Sequence, residues 1–217
     1  RTPIASTTDT TVKDREPRDP SSLDNRGYTC TQTNFDTGLR YQKLDQWAKF
    51  KDFQTRLRNA VIARCALDRM LIGFRGTSAA ATTNIGANPL LQDVNIGWLQ
   101  QIRANATARV MDEGAETNKV TIGEGGDYKN LDALVYDAIQ LLDPWHRTRP
   151  DLRVMVSRNL MHSKWLAAVE KGADSNQEEN AAQEIVSRAR LGGLPVVDAP
   201  FFPDNTVLIT TLSNLSI

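Results

Sequence analysis

The fold is decided by residues 43–74, KLDQWAKFKDFQTRLRNAVIARCALDRMLIGF. The larger apolar side chains of this stretch recur at helical spacing: Leu44, Trp47, Phe50, Phe53, Leu57, Ala60, Val61, Leu67, Leu71 and Phe74. Neither Pro nor Gly occurs before Gly73 and Gly76, which mark the C-terminal stop. The pattern therefore predicts one uninterrupted helix over 44–74, roughly 45 Å long at 1.5 Å per residue.

The same stretch is basic. Lys43 to Arg75 contains eight basic and three acidic side chains, a local charge of +5. Solvation is the ordinary explanation for such a helix face. The alternative is contact with an acidic neighbour or with nucleic acid, through Lys49, Arg56, Arg64 or Arg69.

The totals exclude several classes of protein. Lys+Arg and Asp+Glu each number 26, and this balance argues against a dedicated nucleic-acid binder. Hydrophobic residues make up 40% but aromatics only 6% of the 217 residues, so the core is expected to be aliphatic. Cys30 and Cys65 stand alone, which predicts reduced, buried thiols and neither a disulfide framework nor a zinc site. The sequence contains no run of 18 apolar residues, so no membrane span is predicted.

The N-terminal part is polar. Residues 1–27 contain ten charged side chains and three prolines, so they cannot offset the entropy of ordering alone. They are either a disordered terminus or an arm that orders against a partner chain. Residues 29–41 suggest a strand, and residues 212–217 alternate like one. Because the chain begins at Arg1 and ends within that pattern, we expect a fragment of a longer protein.

The remaining chain alternates helical and strand patterns. Asn130 is expected to cap a helix that ends before Pro144. Further helices are predicted over 90–108, 159–171 and 181–190, the last stopped by Gly192-Gly193, with a polar loop at 174–180 and strands at 152–157, 194–197 and 206–212. This order of elements implies an α/β sandwich packed around a small sheet.

No motif carries chemistry. Gly123-Glu124-Gly125-Gly126 completes neither phosphate-binding signature and is interpreted as a turn. His146 and His162 have no nucleophile motif beside them and are expected at the surface or at helix caps. The acidic loop with Asp174, Glu178 and Glu179 lacks metal-ligand spacing. Core packing is the expected role of the four tryptophans, Trp47, Trp98, Trp145 and Trp165. We therefore predict no catalytic, cofactor-binding or metal-binding residues.

Many short segments, in order, resemble one family. They include Ile4-Ala5-Ser6-Thr7-Thr8-Asp9-Thr10, Asn34-Phe35-Asp36, Trp47-Ala48, Asp52-Phe53-Gln54, Leu91-Gln92-Asp93-Val94, Gly97-Trp98-Leu99-Gln100, Ala108-Arg109-Val110-Met111, Gly125-Gly126-Asp127-Tyr128, Leu131-Asp132-Ala133-Leu134-Val135, Pro150-Asp151-Leu152, Phe202-Pro203 and Leu208-Ile209-Thr210. Together they resemble the major capsid proteins of Peduovirus-like tailed bacteriophages, a branch of the Hong Kong 97-type capsid fold. Residues 11–20 and 112–119 depart most from that pattern.

The resemblance implies an α+β fold in three parts. Residues 1–42 would be an extended loop, a hairpin arm that reaches over a neighbouring subunit. Residues 43–129 would be a peripheral domain with the spine helix at 44–74. Residues 130–217 would be mostly the axial domain. Family members carry an N-terminal arm and further peripheral strands beyond these ends, so the peripheral domain is expected to be incomplete.

The resemblance also implies a function. The chain would be a structural subunit of the virion, forming hexamers and pentamers that enclose the viral DNA, with no enzymatic activity, no cofactor and no membrane contact. The full-length protein would assemble in the bacterial cytoplasm with a scaffold and a maturation protease, and would hold the packaged DNA only loosely. Candidate assembly contacts are Lys13, Asp14, Arg15, Glu16, Arg18, Asp19, Arg56 and Arg64.

Two other functions stay open from the residues alone. A soluble α/β enzyme would need a cleft with titrating groups around His146 or His162. A DNA-binding module would use the basic face of the 43–75 helix. Loss of an activity on alanine substitution would favour the first, and tight, salt-sensitive DNA binding the second.

Overall fold

The fold is built on four strands: β1 (Leu152–Val156), β2 (Arg190–Leu191), β3 (Leu194–Val197) and β4 (Val207–Thr211). They form one sheet in the order β2-β3-β1-β4. β1 runs parallel to β3 and antiparallel to β4, with Val154 opposite Val196 on one side and Ile209 on the other. The computed structural model describes residues 4–17, 19, 31–170 and 190–216.

β1 is apolar along most of its length because both faces of the sheet are covered. Val154 and Val156 pack on one side with a cluster that includes Val135. Met155 points to the opposite cluster, which includes Phe74. The predicted strands at 152–157, 194–197 and 206–212 are confirmed by β1, β3 and β4.

Six helices are described: α1 (Tyr41–Trp47), α2 (Phe53–Arg75), α3 (Trp98–Asn105), α4 (Leu131–Ala138), α5 (Pro144–Arg147) and α6 (Arg158–Glu170). Short 3-10 turns lie at Thr107–Arg109, Ile139–Leu141 and Leu212–Asn214. The predicted cap of α4 is confirmed, because Asn130 Oδ1 accepts a hydrogen bond from Ala133 N at 2.8 Å. The predicted helix from 159 is confirmed as α6.

The single long helix predicted over 44–74 is wrong, because residues 48–52 separate α1 from α2. Here the backbone closes tight turns, with Phe50 N donating to Trp47 O and Phe53 N donating to Phe50 O. The turns bring the Trp47 ring to 6.1 Å from the ring of Phe50 and to the same distance from that of Phe53. Asp52, a residue type favoured at helix starts, then precedes α2. Aromatic packing and this new start replace continuous helical hydrogen bonding.

The last turn of α2 is its buried part, comprising Leu71, Ile72, Gly73 and Phe74. The Phe74 ring lies 5.0 Å from that of Trp98 and 5.2 Å from that of Phe202, both in edge-to-face arrangements. Gly73 permits this packing, since a Cβ there would lie 2.5 Å from Trp98 Cζ3. The helix ends at Gly76 as predicted, whereas Gly73 lies inside the helix.

The helix predicted over 90–108 is shorter than expected. Leu91 has a positive φ of 54°, and Gly97 is extended, so α3 cannot begin before Trp98. Asp93 Oδ2 accepts a hydrogen bond from Asn84 N at 2.7 Å, which holds the preceding residues in a loop. Local polar hydrogen bonds therefore override the apolar spacing.

Three other predicted elements need correction. Residues 31–40 form no strand, since within the described part of the chain they make no sheet pairing. The alternating pattern at 212–217 begins with a 3-10 turn, and Ser216 O accepts a hydrogen bond from Trp98 Nε1 at 2.9 Å. Arg190 is in β2, and the rest of the helix predicted at 181–190 and the loop at 174–180 lie outside the described residues.

Gly192 and Gly193 form the turn between β2 and β3. They were expected to stop a helix, but β2 precedes them. Their φ values of 54° and 85° lie in the left-handed region that glycine occupies most readily. A Cβ on Gly192 would also lie 2.8 Å from Val135 Cγ1. The hairpin is thereby held close against α4.

The chain divides into two compact units, Arg1–Gln32 and Thr33–Ile217. The mixed helices and sheet described above belong to the second unit and agree with the expected α+β class. The predicted three-part division at residues 42 and 129 stays a prediction.

Candidate assembly surface

The segment between α1 and α2 carries aromatic side chains in solvent. We call residues 47–58 the junction. Trp47 is 49% exposed and Phe50 is 51% exposed, although they contact each other. Every residue of α1 is exposed as well. An apolar surface of this kind on a folded chain is typical of a protein contact.

Basic side chains surround these aromatics. Arg56 Nε lies 2.6 Å from Asp52 Oδ2 in an ion pair one helical turn apart. Lys49 Nζ lies 5.3 Å from the centre of the Phe50 ring. Within the described part of the chain, Lys51 and Arg58 have no ion-pair partner. The junction thus presents exposed positive charge beside an apolar centre.

Further along α2, a cleft of about 330 Å³ opens toward solvent. It is lined by Phe35, Asp36, Thr37, Ala60, Val61, Arg64, Cys65 and Asp68. Arg64 Nε lies 3.0 Å from Asp68 Oδ1, an ion pair without hydrogen-bond geometry. Arg69 covers the ring of Phe35 at 5.6 Å. Cys65 is a free thiol as predicted but only half-buried, and Cys30 lies outside the described residues.

The arm residues predicted to make assembly contacts are exposed where the structure describes them. Lys13 Nζ forms an ion pair with Glu16 Oε1 at 3.2 Å, and Asp14 and Arg15 are exposed beside them. Asp19 is also exposed, whereas Arg18 lies outside the described residues. Just before them, hydrogen bonds from the Thr11 hydroxyl and backbone N–H lower the pKa of Asp9. Arg56 and Arg64 belong to the other compact unit.

A second charged surface lies at residues 112–127, which we call the acidic loop. It contains five acidic side chains and one basic one, Lys119, which pairs with Glu116 at 2.9 Å. The Asp127 carboxylate accepts hydrogen bonds from Ala115 N at 2.6 Å and from Thr121 N and Oγ1 at 2.7 Å each. These bonds lower the pKa of Asp127 to about 2.

The other acids of this loop point into solvent. In the described regions, the carboxylates of Asp112, Glu113 and Glu124 have no ion-pair partner, and all three residues are exposed. Ile122, between them, is 38% exposed. The Gly123–Gly126 stretch is a turn, as predicted, with φ of 146° at Gly123 and 82° at Gly125.

No catalytic arrangement forms at the histidines in the described part of the chain. His146 lies in α5 beside Trp145, and His162 is exposed on α6, while neither side chain makes a hydrogen bond among the described residues. Over those same residues, no three His, Cys, Asp or Glu side chains gather as a metal site requires. None of the described helices has the length and apolar character needed to cross a bilayer.

The sequence comparison assigns the chain to a family of capsid proteins. The profile described as "Phage major capsid protein, P2 family" matches residues 1–217. The chain belongs to this family. This match confirms the resemblance to phage major capsid proteins that the short sequence segments indicated.

Two curated relatives agree with this assignment. The chain is similar to the capsid proteins of Escherichia phage P2, with 49% identity over 99% of this chain and 62% of the relative. It is also similar to the major capsid protein of Serratia phage KSP20, with 40% identity over 99% of this chain and 64% of the relative. The chain thus spans less than two thirds of the length of these relatives.

A solved structure has the same fold. A chain in the satellite phage P4 procapsid, solved with its size determination protein, matches with a TM-score of 0.83 and 44% identity. The match covers 98% of this chain and 65% of that chain. The mixed helices and sheet of the present chain are therefore those of a phage capsid protein.

The main feature that sequence reasoning missed is the exposure of the junction aromatics. Trp47 was expected in a core, and so was Trp145, but both are about half exposed. Trp98 does pack against a core cluster. Helical spacing carries no signal of this exposure, because it does not separate Trp47 and Phe50 from the buried Phe74.

Proposed function

We propose that this chain is a structural subunit of a tailed-phage capsid shell, assembling into hexamers and pentamers that enclose the viral DNA. The family match over the whole chain carries this proposal. The procapsid chain with the same fold also supports it. The subunit acts by forming contacts with its own copies and performs no catalytic turnover.

The architecture we propose is the Hong Kong 97-type capsid fold. In this assignment, residues 1–42 form the extended loop, residues 43–129 the peripheral domain and residues 130–217 most of the axial domain. α2 takes the place of the expected 44–74 spine helix. Its 23 residues with full burial confined to the last turn support this role, because most of the other side chains of the helix stay exposed.

The charged arm residues and two arginines of α2 are proposed as contacts between copies. Their side chains are Lys13, Asp14, Arg15, Glu16, Arg18, Asp19, Arg56 and Arg64. Arg56 and Arg64 are 73% and 66% exposed at the side chain in their present ion pairs. The Arg56–Asp52 pair is exposed on both sides, and such a pair stabilises a chain very little. Arg56 can therefore exchange Asp52 for an acidic side chain of a neighbour at small cost, whereas Asp68, the partner of Arg64, is only 21% exposed at the side chain.

The proposed partners follow from the same role. The full-length protein assembles in the bacterial cytoplasm with a scaffold and a maturation protease, and it becomes part of the virion. The packaged DNA is held loosely, which agrees with a formal net charge of zero. Neither a cofactor nor a membrane takes part.

Negative-stain electron microscopy tests the proposal. The full-length gene product is co-expressed with the scaffold of its phage, and closed shells are expected. Soluble monomers alone, across several salt and protein concentrations, would contradict the proposal. A variant with both His146→Ala and His162→Ala is the control against an enzymatic role, since we expect shells of the same number and size.

A further inference from the structure

The junction and the acidic loop carry opposite charge, and each exposes an apolar side chain among its charged residues. Residues 47–58 carry four basic side chains and one acidic one, whereas residues 112–127 carry five acidic and one basic. Each segment also exposes an apolar side chain, Phe50 in the first and Ile122 in the second. The pattern of an apolar centre with charged flanks is therefore present on both, with opposite sign.

Several charged side chains of these two surfaces form no ion pair within the chain and could pair with another molecule. Lys51 and Arg58 form no ion pair among the residues described, and the same holds for Asp112, Glu113 and Glu124. On these two described surfaces, two cations and three carboxylates are therefore left in solvent without an ion pair. Since they do not pair with each other inside one chain, they are available to a partner on another molecule.

The hydrogen bonds that fix the acidic loop do not use its exposed, unpaired carboxylates. Asp127 binds the backbone at Ala115 and Thr121, and Gly114 N donates to Lys119 O at 3.0 Å. A loop fixed in this way loses little conformational entropy when it binds. The displayed carboxylates of Asp112 and Glu113 are therefore ready for a partner.

We propose that the acidic loop of one copy docks on the junction of a second copy. This inference rests on the proposed shell function and names the two surfaces that meet. A second copy is the chosen occupant because the chain itself carries the counter-charge while its net charge is zero. Two different patches meet, so the contact is heterologous, and such contacts close into rings when the rotation between copies permits.

Charge reversal in the full-length protein tests this pairing. The junction variant carries Lys51→Glu and Arg58→Glu, and the loop variant carries Asp112→Lys and Glu113→Lys. Each is expected to lower the yield of shells about tenfold or more, because like charges then face each other. The fourfold variant with both reversals is expected to recover shells, since the attraction is restored with opposite sign. The loss of shell yield in each variant should depend on ionic strength, because salt screens the interaction between exposed charges.

The controls separate folding from pairing. Arg103→Glu with Lys129→Glu changes the net charge as the junction variant does, at exposed positions outside both surfaces, and is expected to keep shells. Unfolding midpoints of every variant should match the wild type, because the altered side chains are exposed and unpaired. Zero-length carbodiimide cross-linking of wild-type shells should join peptides from 47–58 and 112–127 of different copies, identified with isotope-mixed protein.

The outcomes are distinct. Absence of shells in the wild type would overturn the proposed function itself. Wild-type shells without rescue in the fourfold variant, and without the cross-link, would overturn only the pairing. A junction that binds duplex DNA, with binding lost in the junction variant and unaffected by the loop variant, would overturn the pairing in favour of nucleic acid.

Discussion

Asp127 fixes a loop that has almost no regular secondary structure. Three hydrogen bonds to its carboxylate lower its pKa to about 2, below an unfolded value of about 3.9. The stabilisation is therefore present above about pH 4 and is lost as the pH falls toward about 2. Hydrogen exchange should show the amides of Ala115 and Thr121 losing protection over that range.

Asp127→Asn should remove much of this protection at neutral pH, because the amide is a weaker acceptor than the carboxylate. Asp112→Asn is the matched control, and it should leave both amides unchanged. A titration midpoint for Asp127 near 3.9 in the folded protein would contradict the assignment.

At Gly73, substitution by alanine is expected to have the opposite effect on stability from that in an exposed helix. In an exposed helix, Gly→Ala stabilises by about 0.5–1 kcal/mol. Here the new Cβ would lie 2.5 Å from Trp98 Cζ3, so Gly73→Ala is expected to destabilise by roughly 1–3 kcal/mol. Urea denaturation measures the change, and Ala66→Gly, at an exposed position of the same helix, should cost about 0.5–1 kcal/mol. Stabilisation by Gly73→Ala would disprove the close packing.

At the scale of elements, α4 depends on Asn130, the capping residue that precedes it. Asn130 Oδ1 accepts a hydrogen bond from Ala133 N, one of the backbone donors left without partners at a helix start. Asn130→Ala should lower the free energy of unfolding by about 1 kcal/mol, whereas Asn130→Asp should keep most of it. Chemical denaturation of both variants checks this, and equal losses would contradict a capping role.

The elements that the sequence predicted correctly are those with strong local signals. β1 is a short apolar run and Asn130 a cap, and both were found in place. The break after Trp47 could not be predicted from spacing, because its cause is the packing of Trp47 with Phe50 and Phe53. The loop before α3 depends likewise on Asp93 reaching back to Asn84, a contact nine residues away.

The candidate site was only partly accessible from the sequence. Arg56 and Arg64 were identified from the charge of their helix, and the structure shows both exposed. The acidic loop overlaps a region noted only for departing from the family pattern. Its role depends on which carboxylates are used within the chain, and only contacts reveal that Asp127 is used whereas Asp112 is not.

At the scale of the whole molecule, we expect stability and assembly to depend on different phenylalanines. Phe50→Ala should lower the free energy of unfolding by only about 1 kcal/mol, because the half-exposed side chain loses little more than its contact with Trp47. Phe74→Ala, at a residue 3% exposed, should cost about 3–5 kcal/mol.

Shell yield should fall with Phe50→Ala although the chain stays folded. Thermal unfolding and electron microscopy of the same preparations separate the two effects. A large loss of stability in Phe50→Ala, or an undiminished shell yield, would contradict the assignment of the junction as an assembly surface.

Burial of α2 at one end gives the helix a mechanical property. Only residues of its last turn are fully buried, whereas the 23-residue helix extends roughly 30 Å beyond them at 1.5 Å per residue. If the helix tilts by about 10° at this turn, its far end moves by about 5 Å. Small adjustments in the packing of Phe74 against Trp98 would thus be amplified at the junction, which gives one subunit a way to fit neighbours at different angles.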